Sequence, residues 1–223
     1  HRLYTESYRL RKEAAERLHA DRMAFIRSHR QSPLALYVAN EMISKSFSVP
    51  ATDLEEILAR NCRISDTARA ARFCRQAEQA CYFCKDIHYP DVPLHTPTFD
   101  TTLLSAHIRP GHVTLIDCWA SWCGPCRAAI PKVKALYDKY GRDRFDVISI
   151  SLDSKKEDWQ KALEEEKMPW PQFIAGNRGY KQLTSRYNIS SIPNLILIDG
   201  KGQVVCNTFS PEEIRIELEQ ILR

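Results

Sequence analysis

One stretch constrains the fold more than any other: Leu115-Ile116-Asp117-Cys118-Trp119-Ala120-Ser121-Trp122-Cys123-Gly124-Pro125-Cys126-Arg127. An apolar run ends in an acidic residue and two tryptophans. A Cys-x-x-Cys pair follows at once. Behind it lies a helical pattern carrying Ile130, Val133, Leu136, Tyr137 and Tyr140 and stopping at Gly141. This order predicts a buried strand, a turn, and a helix that opens at the cysteines. A cysteine in that position faces unpaired backbone N–H groups and the positive end of the helix dipole. Both favour the thiolate, which is the nucleophile, so Cys123 is the candidate attacking group. Cys126 lies one turn inside the helix, close enough to close a disulfide onto Cys123. Pro125 has a fixed φ suited to a first helical turn and lacks an N–H that would go unbonded there. A zinc half-site or a structural disulfide is the alternative use of this spacing.

Trp119-Ala120-Ser121-Trp122-Cys123-Gly124-Pro125-Cys126 resembles the active site of thioredoxin-fold proteins, in particular the extracytoplasmic thiol–disulfide oxidoreductases of the TlpA/ResA type. The resemblance implies an α/β thioredoxin fold, a central mixed sheet flanked by helices, and it places Trp122, Gly124, Pro125 and Ile192 beside the substrate. It also implies that Ile192–Pro193 is cis and faces the cysteine pair, leaving the Ile192 backbone open to an extended substrate segment. Only an X-Pro bond tolerates that geometry readily, and an ordinary trans loop proline is the alternative. Asp117 closes the apolar run behind the cysteines, where a carboxylate has few water contacts and holds its proton to higher pH. By resemblance Asp117 helps move the proton of Cys126; a satisfied structural acid is the alternative. The sequence departs from its relatives at two points. Cys118 stands where an aromatic residue is usual, and Ala129 stands where many relatives carry a glutamate, so a second tuning carboxylate is missing. Cys118 should point opposite to Asp117, into packing, and be inert, and Cys206 reads as a core strand residue. Trp119 and Trp122 are expected to pack around the site and shield it.

The activity implied is reduction of protein disulfides. Cys123 attacks and Cys126 resolves, with no cofactor and no metal. Gly-Pro between the cysteines resembles the reducing members of the fold. A disulfide oxidase or isomerase using the same residues is one alternative, and a non-enzymatic binding module is another. A peroxidase would need Pro-x-x-x-Thr/Ser-x-x-Cys around Cys123, which is absent. The partners expected are protein disulfide substrates and a thiol electron donor, membrane-bound or soluble, but no nucleic acid. The net charge of +4 is too mild to argue for an anionic polymer. The expected location is periplasmic or otherwise extracytoplasmic. The chain starts at His1 with no signal-peptide pattern, and no apolar run approaches the roughly 20 residues of a membrane span. We therefore read it as a processed or truncated form whose export signal or lipid anchor lies outside it.

Glycine marks the domain boundary. All seven glycines lie from Gly111 onward, and the first half of the 223-residue chain has none. Glycine-free sequence lacks the usual device for tight turns and suits helices joined by Pro, Ser and Asn. Residues 1–89 are read as an all-helical segment and 90–223 as the thioredoxin-like domain, with Pro90, Pro93 and Pro97 marking an extended linker. The first helix covers residues 1–30, with Leu10, Ala14 and Leu18 on one stripe and its arginines on a solvated face shared with Glu6, Glu13, Glu16 and Asp21. Ser32-Pro33 opens a second helix to about Ser46, Thr52 or Asp53 caps a third, and Ser65 or Asp66 caps a fourth running to about Lys85. The first three helices resemble the segment that precedes the thioredoxin-like domain in many secreted Bacteroidetes proteins of this type. The small β-rich domain that often comes earlier in those proteins is not seen, which fits truncation. Cys74, Cys81 and Cys84 lie on the fourth helix, with Cys62 upstream. They read as core thiols, as a disulfide or second redox pair, or as a four-cysteine zinc site. As a catalytic pair Cys81/Cys84 is the poorer candidate, because it sits late in its helix, at the negative end of the dipole.

Further along, Phe145–Ser151 is a strand, and Ser154 caps a helix over 155–167. Met168-Pro169-Trp170-Pro171 breaks that helix, and 181–187 is helical. A hairpin turns at Asp199-Gly200-Lys201-Gly202, and Ser210-Pro211-Glu212-Glu213 forms a capping box before the last helix. The insert 154–176 resembles the extra helix and strand of the TlpA/ResA group.

Overall fold

A computed structural model describes residues 2–29, 32–43, 49–61, 72–77, 86–141 and 144–222. Two compact units divide the chain, His1–Ile87 and His88–Arg223. In the first, α1 (Arg2–Ser28), α2 (Pro33–Ile43) and α3 (Ala51–Asn61) are followed by helical residues 72–77. Their core is Met23, Ile26, Ala39, Met42, Ile43, Val49, Leu54, Ile57, Phe73 and Ala77. The stripe expected on α1 is not the one that packs. Leu10 and Leu18 are exposed, and the buried residues lie in the last two turns, at Met23 and Ile26. Ser32 caps α2 by accepting the Leu34 N–H at 3.2 Å. Asp53 caps nothing: α3 starts earlier, at Ala51 after Pro50, and the Asp53 carboxyl instead meets His19 Nε2 of α1 at 2.7 Å. Arg27 forks onto Glu56 at 3.1 and 2.7 Å and ties α1 to α3. Cys74 packs against this core and is disulfide-bonded, so it is not the core thiol that its helical spacing allowed. Its bond partner is outside the described residues, as are Cys62, Cys81, Cys84 and the proposed cap Ser65 or Asp66.

The second unit is a seven-stranded mixed sheet in the order β2-β1-β5-β4-β3-β6-β7. Its strands are β1 (Pro93–His95), β2 (Thr101–Leu103), β3 (Val113–Trp119), β4 (Phe145–Ser151), β5 (Gln172–Ile174), β6 (Asn194–Ile198) and β7 (Val204–Thr208). The central strand β3 runs parallel to β4 and antiparallel to β6 and is buried along all seven residues, which explains its unbroken apolar character. Alternation puts Leu115, Asp117 and Trp119 on one face of β3 and Ile116 and Cys118 on the other. Helices α4 (Gly124–Tyr140) and α7 (Pro211–Ile221) cover the first face, where Val133, Leu136, Ile214 and Leu218 pack on Val113, Leu115, Leu195 and Leu197. Helix α5 (Lys156–Glu166) brings Trp159 and Ala162 to Trp119 and Ile130. Helix α6 (Gly176–Arg186) approaches β1 so closely that a Cβ at Gly179 would run into the Pro93 carbonyl.

Several expectations need correction. Pro93 is not linker: β1 pairs antiparallel with β2 and touches β5 at His95–Ile174. A proline can sit there because Pro93 begins the strand, where a missing N–H costs least. Helix α5 is capped at Lys155, without a side-chain bond, and not at Ser154. The capping box at Ser210 does not close, because Glu213 accepts from Thr208 Oγ1 instead. Helix α6 begins at Gly176, a turn and more before 181, and the missing side chain of Gly179 permits its close contact with β1.

Candidate active site

Cys123 is the N-cap of α4 and Pro125 sits in the first turn. Cys123 has extended backbone angles (φ −84°, ψ 93°), and its sulfur accepts the Cys126 N–H at 3.2 Å. The side chain is thereby aimed at the open end of the helix, where the backbone N–H groups lack intrahelical partners. Cys123 and Cys126 are joined in a disulfide with Cα atoms 5.2 Å apart. Both are nearly enclosed, packed with Trp119, Ala120, Ile130, Trp159 and Ile174. Trp119 is fully buried, but Trp122 is 70% exposed, so it does not shield the cysteines as expected. The turn carries it outward, and it forms one wall of a cleft.

That cleft has a volume of about 590 Å³ and runs from Trp122 past Asp153 and Ser154 to Tyr180 and Thr184 on α6 and to Ser191 and Ile192. The Ile192–Pro193 peptide is cis, and Ile192 also packs against the cysteine cluster. Gly124 and Pro125 are exposed at the helix start, with open space around Gly124.

Asp117 lies on the face of β3 covered by α4, between Leu115, which packs on Val133, and Trp119, which packs on Cys126 and Ile130. It is 4% exposed, and burial pushes its carboxyl up to about 6, against the opposing pull of a hydrogen bond from Ser149. Ser149 Oγ donates to Asp117 Oδ2 at 2.8 Å and itself receives Trp170 Nε1–H at 2.8 Å. Cys118, one residue on, is completely buried on the opposite face, with its thiol pushed far up by burial and by the Asp117 charge. Cys206 is also reduced and buried.

Asp153 is a site residue that sequence reasoning missed. It is 6% exposed, and its carboxyl accepts the Ser121 N–H at 2.9 Å, the Ser121 hydroxyl at 2.7 Å and the Ser151 hydroxyl at 2.7 Å. The turn that carries Trp122 into Cys123 is therefore pinned from β4. A signal was present: Ser149 and Ser151 alternate through the buried end of β4 with Asp153 two residues on, and polar groups at every second position of a buried strand must find partners on one face. Position 129 offers no carboxyl. The nearby charge is Arg127, whose guanidinium bridges to Glu166 at 2.6 Å and Glu165 at 2.8 Å at the end of α5. No cluster of metal-ligating side chains occurs among the described residues.

Comparison with known proteins agrees with this architecture. A thioredoxin-like family profile matches residues 111–204. The thiol–disulfide oxidoreductase ResA of Geobacillus kaustophilus is 26% identical over 56% of this chain and 75% of its own length. Matches to the first few curated relatives span 61–75% of their lengths. A crystal structure from Chlorobium tepidum, described as a thiol:disulfide interchange protein DsbE, is 32% identical over 63% of this chain and 96% of that one, with a TM-score of 0.51. The thioredoxin domain of a Bacteroides vulgatus thiol–disulfide oxidoreductase shares the fold at 24% identity, covering 62% of this chain and 98% of that one, with a TM-score of 0.57. With its cysteine pair at the mouth of α4 on a thioredoxin-like sheet, the chain belongs to the thiol–disulfide oxidoreductases of the TlpA/ResA type.

Proposed function

We propose that the chain reduces disulfides in proteins through Cys123 and Cys126. The observation that carries this is the N-cap position of Cys123, with the Cys126 amide on its sulfur and the cleft of Trp122 and Ile192 beside it. In the dithiol form, Cys123 thiolate attacks one sulfur of a substrate disulfide. That S–S bond breaks, a Cys123–substrate disulfide forms, and the departing substrate thiolate takes a proton. Asp117 accepts the Cys126 proton, and Cys126 attacks Cys123 sulfur. The substrate leaves as a dithiol, and the enzyme is left as the disulfide. Two electrons and two protons have passed to the substrate, and a thiol donor must return them. Ile192, joined to Pro193 by the cis bond, lines the cleft where an extended substrate segment would lie.

Gly-Pro between the cysteines supports the reducing direction. The disulfide at Cys74 supports an extracytoplasmic location, since structural disulfides persist where the surroundings are oxidising. No helix among the described residues is long and apolar enough to cross a membrane. Insulin reduction by wild type and Cys123→Ser tests the reading. Turnover by wild type and none by the variant is expected; persistent turnover without Cys123 contradicts the mechanism. An inert wild type favours a binding module. A reduction potential for the Cys123/Cys126 couple near the strong oxidants, roughly −120 mV, would reassign the chain as an oxidase.

A further inference from the structure

Ala129 offers no carboxyl at its own position, yet Asp117 is not isolated. Trp170 Nε1, Ser149 Oγ and Asp117 Oδ2 form an unbroken chain with both links at 2.8 Å. Its direction is fixed by chemistry. An indole N–H can only donate, so the Ser149 oxygen accepts from Trp170 and the single hydroxyl proton is left for Asp117. Met168 Sδ, 3.9 Å from Ser149 Oγ, is the weaker taker of that proton.

The chain is also held rigidly. Ser149 stands directly opposite Asp117 in the β3–β4 ladder and is completely buried. Its own N–H donates to the Pro171 carbonyl at 3.1 Å, so strand β4 and the Met168-Pro169-Trp170-Pro171 segment are locked together. The Trp170 ring meets Tyr137 of α4 edge-on at 5.3 Å.

We propose that Ser149, held by Trp170, is a positioning residue for Asp117, and that its donated proton sets the pH at which this carboxyl can accept the proton of Cys126. The proposal rests on the reading of Asp117 as the proton acceptor given above. No other hydrogen bond to the Asp117 carboxyl occurs among the described residues, and no charged side chain offsets its burial. Among the described residues no ionisable side chain, the buried Glu217 of α7 included, is bonded to the Asp117 carboxyl. Cys118 lies on the other face of β3. From α4 come Cys126, bonded to Cys123, and Tyr137 against Trp170. Lys134 donates to the Glu166 carbonyl, and Arg127 is taken by Glu165 and Glu166. On β4 the next acid, Asp153, is bonded to Ser121 and Ser151, and β6 presents Leu195. Ser149 is thus the polar partner through which this chain adjusts its buried acid.

The test uses the oxidised protein, in which neither Cys123 nor Cys126 can ionise. Carboxyl carbon NMR, with the Asp117 resonance identified by its loss in Asp117→Asn, follows the titration directly. Removing a donor to a charged group should raise the midpoint in Ser149→Ala by about one pH unit. Ser149→Thr, which keeps the hydroxyl, should restore it. Trp170→Phe, which keeps the apolar body, should raise it by less. An unmoved midpoint in Ser149→Ala, or an equal rise in Ser149→Thr, overturns the proposal. If Ser149→Ala does not fold, Trp170→Phe against wild type carries the same comparison, and an unmoved midpoint there overturns the proposal. The pH profile for resolution of the mixed disulfide is the second arm. A profile that moves with the NMR midpoint supports both readings. A midpoint that moves under an unchanged profile removes Asp117 as acceptor and leaves the control by Ser149 standing.

Discussion

Buried sulfur occurs in two settings in the sheet-containing unit, and their surroundings are opposites. At the mouth of α4, Cys123 is 4% exposed, yet it faces helix N–H groups and sits beside an open cleft. In the middle of the sheet, Cys118 is fully buried five residues earlier, beside the carboxyl of Asp117, with nothing to stabilise a thiolate. The difference in exposure is a few per cent. What separates them is the backbone. The end of a helix concentrates donors and positive potential on one sulfur, while a strand interior offers only desolvation and a neighbouring negative charge. On the proposed reading, reactivity is set by position in the fold.

The largest expected effect follows from that contrast. Cys123→Ser should lower insulin reduction to background, whereas Cys118→Ala should keep near-wild-type turnover and lose only about 1 kcal/mol of stability for the sulfur removed. Comparable losses of activity in both variants would erase the distinction.

Asp117 supplies the next test. Its folded carboxyl lies at about 6, above the unfolded value near 3.9. The folded state therefore holds this proton more tightly, and the associated stability is present below about pH 4 and lost as pH rises through 6. Replacing Asp117 with Asn removes the loss. Denaturant unfolding of the oxidised protein should show the variant more stable than wild type by about 2–3 kcal/mol above pH 7 and with no such gain at pH 4. A constant difference across that range would mean the carboxyl does not titrate as its burial requires.

Asp153 tests whether the turn must be held for the helix mouth to work. Asp153→Ala leaves the Ser121 N–H without its acceptor, at a cost of about 1–3 kcal/mol, and should lower kcat/KM severalfold while Cys123 remains reactive. The smallest effect on stability belongs to Trp122. Its exposure predicts a change within about 0.5 kcal/mol for Trp122→Ala, with the loss appearing as a raised KM for protein substrates. If its KM is unchanged, the cleft is not where the substrate lies.

The legible and illegible parts of the chain differ for a physical reason. Strands β3 and β4 and the start of α4 could be read because each is specified locally: an unbroken apolar run, a cysteine at the cap, a proline in the first turn. The family profile and the solved relatives bear out the thioredoxin fold inferred from Trp119–Cys126. What stayed hidden depends on register and distance. Pro93 reads as a linker until β2 and β5 are laid beside it, and nothing in the sequence shows that Gly179 faces the Pro93 carbonyl. Asp53 and Glu213 read as capping residues because no sequence pattern announces the competing partners, His19 and Thr208. The same holds at the site. The cysteines and Asp117 lie in one contiguous motif, whereas Ser149, Asp153 and Trp170 meet that motif across more than thirty positions of chain or through a strand ladder. The alternation of Ser149 and Ser151 along β4 hinted at a shared face, but only the pairing of β3 with β4 shows which partners wait there.

The central claim is that the end of α4, and not burial or motif alone, makes one buried cysteine the nucleophile. Limiting alkylation measures this directly: the reduced native protein is treated with substoichiometric iodoacetamide at neutral pH, and the modified cysteines are mapped by mass spectrometry. The account predicts that the first label falls on Cys123, with Cys126 behind it and Cys118 and Cys206 modified only after denaturation. Equal labelling of Cys123 and Cys118, or a first label on Cys126, would contradict it.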